Sequence, residues 1–159
     1  MMKKKPYIIA FFFFMIDLLS KQIVVNLLET GKSIKVIDNF FYLTLAKNTG
    51  AAWSILENQR ILLLIITVVV LFLINRFMNK EKLTKLENIS FGMIIGGIVG
   101  NLIDRIFFHY VIDFLDFKIF GYNYPIFNLA DTFIVVGIIL LIIASIRKER
   151  YERNSSRGK

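Results

Sequence analysis

Four blocks of apolar residues constrain the fold of this chain more than any other feature of its sequence. They extend over about residues 7–28, 61–78, 87–105 and 127–146, with charged or turn-forming residues between them. A helix crosses a bilayer core with about 20 predominantly apolar residues. The blocks therefore predict a polytopic α-helical membrane protein, in which residues 1–159 form a single membrane domain with four transmembrane helices.

The composition excludes several functional classes. The chain is 56% hydrophobic and contains 16 Phe, which does not fit a soluble domain. Its net charge of +8 does not indicate nucleic-acid binding, because the basic residues cluster at the ends of the apolar blocks. The absence of cysteine excludes disulfides and thiol nucleophiles, and the single histidine, His109, argues against a zinc hydrolase. We therefore expect no metal and no other cofactor.

The distribution of positive charge predicts the orientation in the membrane. Most of the 20 Lys and Arg residues lie in the first few positions, in residues 76–86 and in the tail 147–159. The positive-inside rule then places both termini in the cytoplasm and the segments 29–60 and 106–126 on the outer side. The polar end of the tail, residues 151–159, is predicted to be disordered.

The first and third apolar blocks carry residues spaced for contact on one helical face. Asp17 and Lys21 lie four residues apart, so they can pair and face other helices rather than lipid. Gly92, Gly96 and Gly100 form a ridge that allows a second helix to approach closely.

The end of the third block is polar. Asp104 is the next position on the glycine ridge, and Asn101 and Arg105 lie on the adjoining strip with Gly97. For Asp104 and Arg105 the simplest interpretation is close helix packing and an ion pair at the membrane boundary.

The segment between the first two blocks carries strand and turn patterns. Phe41, Leu43 and Leu45 alternate with polar neighbours, which is typical of a short strand. A turn is predicted at residues 48–50, and Trp53 suits the depth of the membrane interface.

Three aspartates lie near the fourth block, and each taken alone is more simply explained as structural than as catalytic. The structural explanation for Asp113 is an exposed loop acid, although its apolar neighbours argue against exposure. Asp113 and Asp116 lie among apolar residues but three apart, so they would not share a face of a strand. Asn128 and Asp131 could act as cap and helix-dipole partner at the start of the fourth block. Brought together at low dielectric, however, Asp113 and Asp131 would share one proton, so that one could act as a base on water and the other as an acid.

Two other mechanisms remain open from the residues alone. A Ser–Lys protease would have to pair Lys21 with Ser54, because Ser20 points away from its neighbour Lys21 on a helix. That pair remains possible, but Lys21 already has Asp17 as a partner. A channel or transporter would use intramembrane acids as an ion path. It predicts acids at all depths, whereas most acids here gather on the predicted outer side.

Five short blocks, in their order and spacing, resemble the bacterial lipoprotein signal peptidase family, also called signal peptidase II. The blocks are DLLSK (17–21), NTGAAWS (48–54), GNLIDR (100–105), VIDFLDF (111–117) and FNLAD (127–131). The resemblance implies an aspartic endopeptidase of the bacterial inner membrane. Such an enzyme removes the signal peptide from diacylglyceryl-modified prolipoproteins and cuts before the lipidated cysteine.

The resemblance also implies roles for individual residues. It places the catalytic pair at Asp113 and Asp131, and it adds a small extracytoplasmic β-cradle to the four helices. Membrane lipid and a globomycin-type cyclic peptide inhibitor are the further binding partners that it implies. The residues expected to bind substrate or support the site are Asp17, Lys21, Asn48, Gly50, Asn101, Asp104, Arg105 and Asn128.

Overall fold

The computed structural model describes residues 4–50, 55–80 and 82–157, and within them it contains four long helices and a small antiparallel sheet. The predicted fold class is therefore confirmed. Trp53 and Ser54 lie outside the described residues. The helices are α1 (Lys4–Leu27), α2 (Arg60–Lys80), α3 (Lys85–Phe107) and α4 (Leu129–Arg157), and the strands are β1 (Ser33–Ile37), β2 (Phe41–Asn48), β3 (Val111–Ile119) and β4 (Tyr122–Asn123).

Each of these helices includes a stretch long and apolar enough to cross a membrane. The stretches cover Lys4–Leu27, Arg60–Asn79, Lys85–Phe107 and Leu129–Tyr151. Helix α4 continues beyond its apolar stretch to Arg157, so the prediction that residues 151–159 are disordered is wrong for residues 151–157. Arg and Glu are good helix formers, and they extend the helix without apolar packing.

Helix α3 lies between α1 and α4, and its glycines allow both contacts. Gly92, Gly96 and Gly100 all face α1, as the ridge predicted, and a methyl group at Gly96 would lie 2.6 Å from the carbonyl oxygen of Ala10. Gly97, on the adjoining strip, faces Ala130 of α4. Because no side chain separates the backbones, α3 carries its polar C-terminal turn into the space between α1 and α4.

The sheet has the order β1-β2-β3-β4, and all its neighbouring strands are antiparallel. Strand β2 contains the alternating segment that predicted a strand. It pairs with β3 so that Phe41 lies opposite Phe117 and Ala46 opposite Asp113. Strands β3 and β4 are joined through Phe120 and Gly121, whose positive φ angles of 50° and 81° suit a two-residue hairpin turn.

A hydrophobic cluster attaches the sheet to one end of the helical bundle. It consists of the buried residues Val24 of α1, Leu45 of β2, and Ile112 and Phe114 of β3. Since successive side chains of a strand alternate, Asp113 lies on the opposite face of β3 from Ile112 and Phe114. We call this end of the bundle the sheet end. The C-termini of α1 and α3 and the N-termini of α2 and α4 lie there.

Candidate active site

A cavity of about 710 Å³ opens at the sheet end, between the sheet and the facing ends of α3 and α4. Aromatic and aliphatic side chains, among them Phe117, Phe127, Ile134 and Val135, form most of its wall. Six polar residues also line it: Asn48, Asn101, Arg105, Asp113, Asp131 and Thr132.

The start of α4 is fixed by two residues that cap each other. The Asn128 side-chain oxygen accepts a hydrogen bond from the Asp131 backbone N–H (2.9 Å), and the Asp131 carboxylate accepts one from the Asn128 backbone N–H (3.3 Å). This reciprocal arrangement satisfies two N–H groups that lack partners within the helix. The predicted cap and dipole pair is therefore present, and it leaves the second carboxylate oxygen of Asp131 for other partners.

Asn128 also holds the second aspartate. Its amide nitrogen donates to Oδ1 of Asp113 (2.7 Å) and approaches the carbonyl oxygen of Ile112 (3.3 Å). Asn128 is fully buried, and its oxygen is already occupied by the helix cap, so its amide group must present the nitrogen to Asp113. One side chain thus connects Asp113 and Asp131, which lie 18 positions apart in the sequence.

A buried ion cluster lies beneath this pair. The Lys21 ammonium, which is 2% exposed, is 2.7 Å from the Asp17 carboxylate and 2.9 Å from the Asp104 carboxylate. Asp17 also accepts a hydrogen bond from the backbone N–H of Ala130 (2.9 Å), and Asp104 accepts one from that of Ile112 (3.1 Å). The cluster therefore joins α1 to α3, to the start of α4 and to β3.

The ammonium of Lys21 determines how Asn101 faces Asp131. An ammonium group can only donate, and Lys21 donates to the side-chain oxygen of Asn101 (3.1 Å). That oxygen also accepts from the Asn128 amide (3.1 Å). The Asn101 nitrogen is consequently directed at Oδ1 of Asp131, to which it donates at 2.8 Å. Both aspartates therefore receive an amide N–H, which stabilises a negative charge on either.

Asp113 is the more deeply buried of the two aspartates, with 2% of its surface exposed. Burial, followed by the nearby Asp131 carboxylate, raises the pKa of Asp113 from its ordinary value of 3.8 to about 7. Hydrogen bonds from Asn48 (2.9 Å) and Asn128 oppose this rise in pKa. Asp113 can therefore both hold and release a proton near neutral pH.

A third group of contacts forms the wall of the cavity opposite α4. The backbone N–H of Gly50 donates to the Asn48 side-chain oxygen (2.9 Å), which directs the Asn48 nitrogen at Asp113. The Arg105 guanidinium donates to the Gly50 carbonyl oxygen (2.9 Å). The turn predicted at residues 48–50 is thus held between β3 and the end of α3.

The structure brings all ten predicted site residues into one connected network. The ion pair expected at the end of α3 joins Asp104 to Lys21 of α1, whereas Arg105 donates to a backbone carbonyl. Lys21 has two carboxylate partners, which does not favour it as the base of a Ser–Lys protease, and Ser20 donates to the backbone oxygen of Asp17. Asp116, on the other face of β3, accepts a hydrogen bond from Thr44 (2.7 Å) and takes no part in the network.

Sequence reasoning did not identify Arg60, which donates to the carbonyl oxygens of Arg105 (2.8 Å) and Ile106 (2.9 Å). A signal was available, because Arg60 is a cation placed directly before an apolar block on the side where the positive-inside rule predicts few cations. Thr132, which lines the cavity and donates to the Asn128 carbonyl oxygen (3.0 Å), gave no comparable signal.

The fold and the site together define a polytopic membrane protein with a pair of linked aspartates in the wall of an apolar cavity. The family described as signal peptidase (SPase) II matches this sequence over residues 9–147. The chain belongs to the signal peptidase II family, a family of aspartic peptidases. It is therefore a membrane peptidase that cleaves the signal peptides of lipoproteins.

Two solved structures, each described as a bacterial membrane enzyme determined by the in meso method, have the same fold. The structure at 2.3 Å resolution is 35% identical in sequence, with a TM-score of 0.83, and the match covers 91% of this chain and 88% of that one. The structure at 1.9 Å resolution is 36% identical, with a TM-score of 0.79, and the match covers 87% and 90%.

Proposed function

We propose that the protein cuts diacylglyceryl-modified prolipoproteins immediately before the lipidated cysteine, with Asp113 and Asp131 as its catalytic pair. The observation that carries this proposal is the shared support of the two carboxylates by Asn128 in the wall of one cavity. A pKa of about 7 at Asp113 provides the proton that such a pair must share at neutral pH.

The proposed reaction requires one ionised and one protonated carboxyl group. The ionised group removes a proton from a water molecule as the water oxygen bonds to the scissile carbonyl carbon. The protonated group donates its proton to the carbonyl oxygen, which stabilises the tetrahedral intermediate. As the intermediate collapses, the C–N bond breaks and the first group gives the proton that it took from water to the leaving amine. One hydroxyl group of the intermediate returns a proton to the second group as the new carboxyl group forms, which restores one ionised and one protonated carboxyl group.

The lining of the cavity supports a lipid-modified substrate. Its apolar side, formed by α4, β3 and the segment 124–127, provides surface for acyl chains and for the apolar part of a signal peptide. Its polar side presents Asn48 and Arg105, which can donate to the substrate backbone. A globomycin-type cyclic peptide would bind in the same cavity and block the reaction.

We further propose that the sheet end faces outward from the bacterial inner membrane, with both termini in the cytoplasm. The opposite end of the bundle carries most of the Lys and Arg residues, which the positive-inside rule assigns to the cytoplasm. The site then opens at the outer boundary of the bilayer, where a membrane-inserted signal peptide ends.

The test is cleavage of a diacylglyceryl-modified prolipoprotein by purified protein in detergent, with the unmodified precursor as a control substrate. Asp113→Asn and Asp131→Asn preserve side-chain size but remove the proton chemistry, so each should abolish cleavage while the protein still accumulates in the membrane. Asp116→Asn is the matched control on the same strand and should have a milder effect. Substantial cleavage by either of the first two variants would contradict the assignment.

A further inference from the structure

Arg60, the first residue of α2, is bonded to the end of a different helix. Its guanidinium donates through Nε to the carbonyl oxygen of Arg105 (2.8 Å) and through Nη2 to that of Ile106 (2.9 Å). The last carbonyl groups of a helix have no partners within it, and a cation there also interacts favourably with the helix dipole. Arg60 therefore fixes the last turn of α3 from outside that helix.

The turn that Arg60 fixes is connected to the candidate active site. Arg105 lines the cavity and donates to the Gly50 carbonyl oxygen (2.9 Å). Gly50 donates to Asn48 (2.9 Å), and Asn48 donates to Asp113 (2.9 Å). A continuous series of hydrogen bonds thus leads from Arg60 to the carboxylate of Asp113.

Arg105 forms hydrogen bonds with both Gly50 and Arg60. Its side chain holds the carbonyl group of Gly50, and its backbone carbonyl group accepts from Arg60. Both contacts depend on the position of Arg105, so a shift at Arg60 would displace the backbone from which the Arg105 side chain extends. A cavity wall that touches substrate cannot tolerate such a shift without loss of rate.

We propose that Arg60 is a positioning residue for peptide cleavage, which acts by fixing Arg105 and, through Gly50 and Asn48, the orientation of Asp113. The inference rests on the proposed function. Arg60 and Arg105 are half-buried residues and Ile106 is exposed, so water can replace the hydrogen bonds of Arg60 without leaving a buried charge. We therefore expect its loss to reduce activity much more than stability.

The experiment compares the wild type with three single variants, Arg60→Gln, Arg60→Lys and Arg105→Gln. It also includes a double variant that combines Arg60→Gln with Arg105→Gln. The readouts are kcat/KM on a diacylglyceryl-modified prolipoprotein, normalised to folded protein, and the thermal unfolding midpoint in detergent. Arg76→Gln is the matched control, because Arg76 is an exposed arginine on the same helix at the other end.

Arg60→Gln should lower kcat/KM about 10-fold, which corresponds to about 1.4 kcal/mol of transition-state stabilisation. Arg60→Lys retains a cation near the end of α3 but lacks the forked guanidinium that bonds both carbonyl groups, so its kcat/KM should lie between those of Arg60→Gln and the wild type. Because Arg60 acts through Arg105, the double variant should lose no more than Arg105→Gln alone. Arg76→Gln should match the wild type.

Wild-type kcat/KM in Arg60→Gln would overturn the inference, as would a kcat/KM of Arg60→Lys below that of Arg60→Gln. Full multiplication of the two losses in the double variant would show that Arg60 does not act through Arg105. Wild-type protein and Asp113→Asn are assayed in parallel, because their results test the proposed function separately. If the wild type cleaves, Asp113→Asn does not and Arg60→Gln is unaffected, only the role of Arg60 is wrong.

Discussion

Replacing Asp113 by asparagine should abolish cleavage and, at the same time, remove a loss of stability that the wild type undergoes as the pH rises. The reason is that the folded state buries a carboxyl group whose ionised form it disfavours. Burial, with a further contribution from Asp131, raises the pKa of Asp113 from 3.8 to about 7. Between these values the unfolded chain releases a proton that the folded protein retains, so the stability of the wild type falls as the pH increases.

The magnitude follows from the difference between the two pKa values. One pKa unit corresponds to about 1.4 kcal/mol, so ionisation of Asp113 lowers the free energy of unfolding by up to about 4 kcal/mol above pH 7. About 3 kcal/mol of this loss falls between pH 5 and pH 8. Asparagine does not titrate. Its NH₂ group would oppose one of the donors that face Asp113, which costs about 1–3 kcal/mol at every pH.

The assay is the thermal unfolding midpoint of wild type and Asp113→Asn in one detergent at pH 5 and pH 8. Between pH 5 and pH 8 the unfolding midpoint of the wild type should fall relative to that of Asp113→Asn. The change in the difference between the two proteins should correspond to about 3 kcal/mol in the free energy of unfolding. Asp116→Asn controls for the loss of a carboxylate elsewhere on β3. If the wild type instead gained stability relative to Asp113→Asn between pH 5 and pH 8, the assigned pKa of Asp113 would be refuted.

Three further predictions concern the support of the site, the topology and the pair itself. Asn128→Ser keeps a helix cap but removes the amide donor to Asp113. Losing one hydrogen bond to a charged group costs about 1.5–3 kcal/mol, so kcat/KM should fall about 10- to 100-fold. A wild-type kcat/KM would show that the amide donor is dispensable. Lys32→Cys should react with an impermeant thiol reagent in intact cells and Lys85→Cys should not, and the reverse pattern would refute the orientation. The rate should follow a bell-shaped pH profile with two apparent pKa values that belong to the pair, and inhibition by EDTA that zinc reverses would contradict the two-aspartate mechanism.

The elements that the sequence predicted correctly are those that helix geometry specifies locally. Apolar stretches of sufficient length give the four helices, and residues four apart share a helical face. The pairing of Asp17 with Lys21 and the glycine ridge of α3 follow from this spacing. The mutual capping of Asn128 and Asp131 is equally local, because Asn128 directly precedes α4 and Asp131 lies in its first turn.

The contacts that assemble the site depend on packing between distant segments, and spacing could not predict them. Lys21 contacts Asp104 as a second partner because the glycine ridge of α3 packs closely against α1. Asn128 contacts Asp113 because β3 passes beside the start of α4. Arg60 reaches α3 for a similar reason. The sequence by itself therefore determined that four helices cross the membrane and which residues lie on each helical face, whereas it placed the end of α4 too early. The tertiary structure decided which carboxylate is deeply buried and which amides face it, because burial and hydrogen-bond direction are properties of the packed chain.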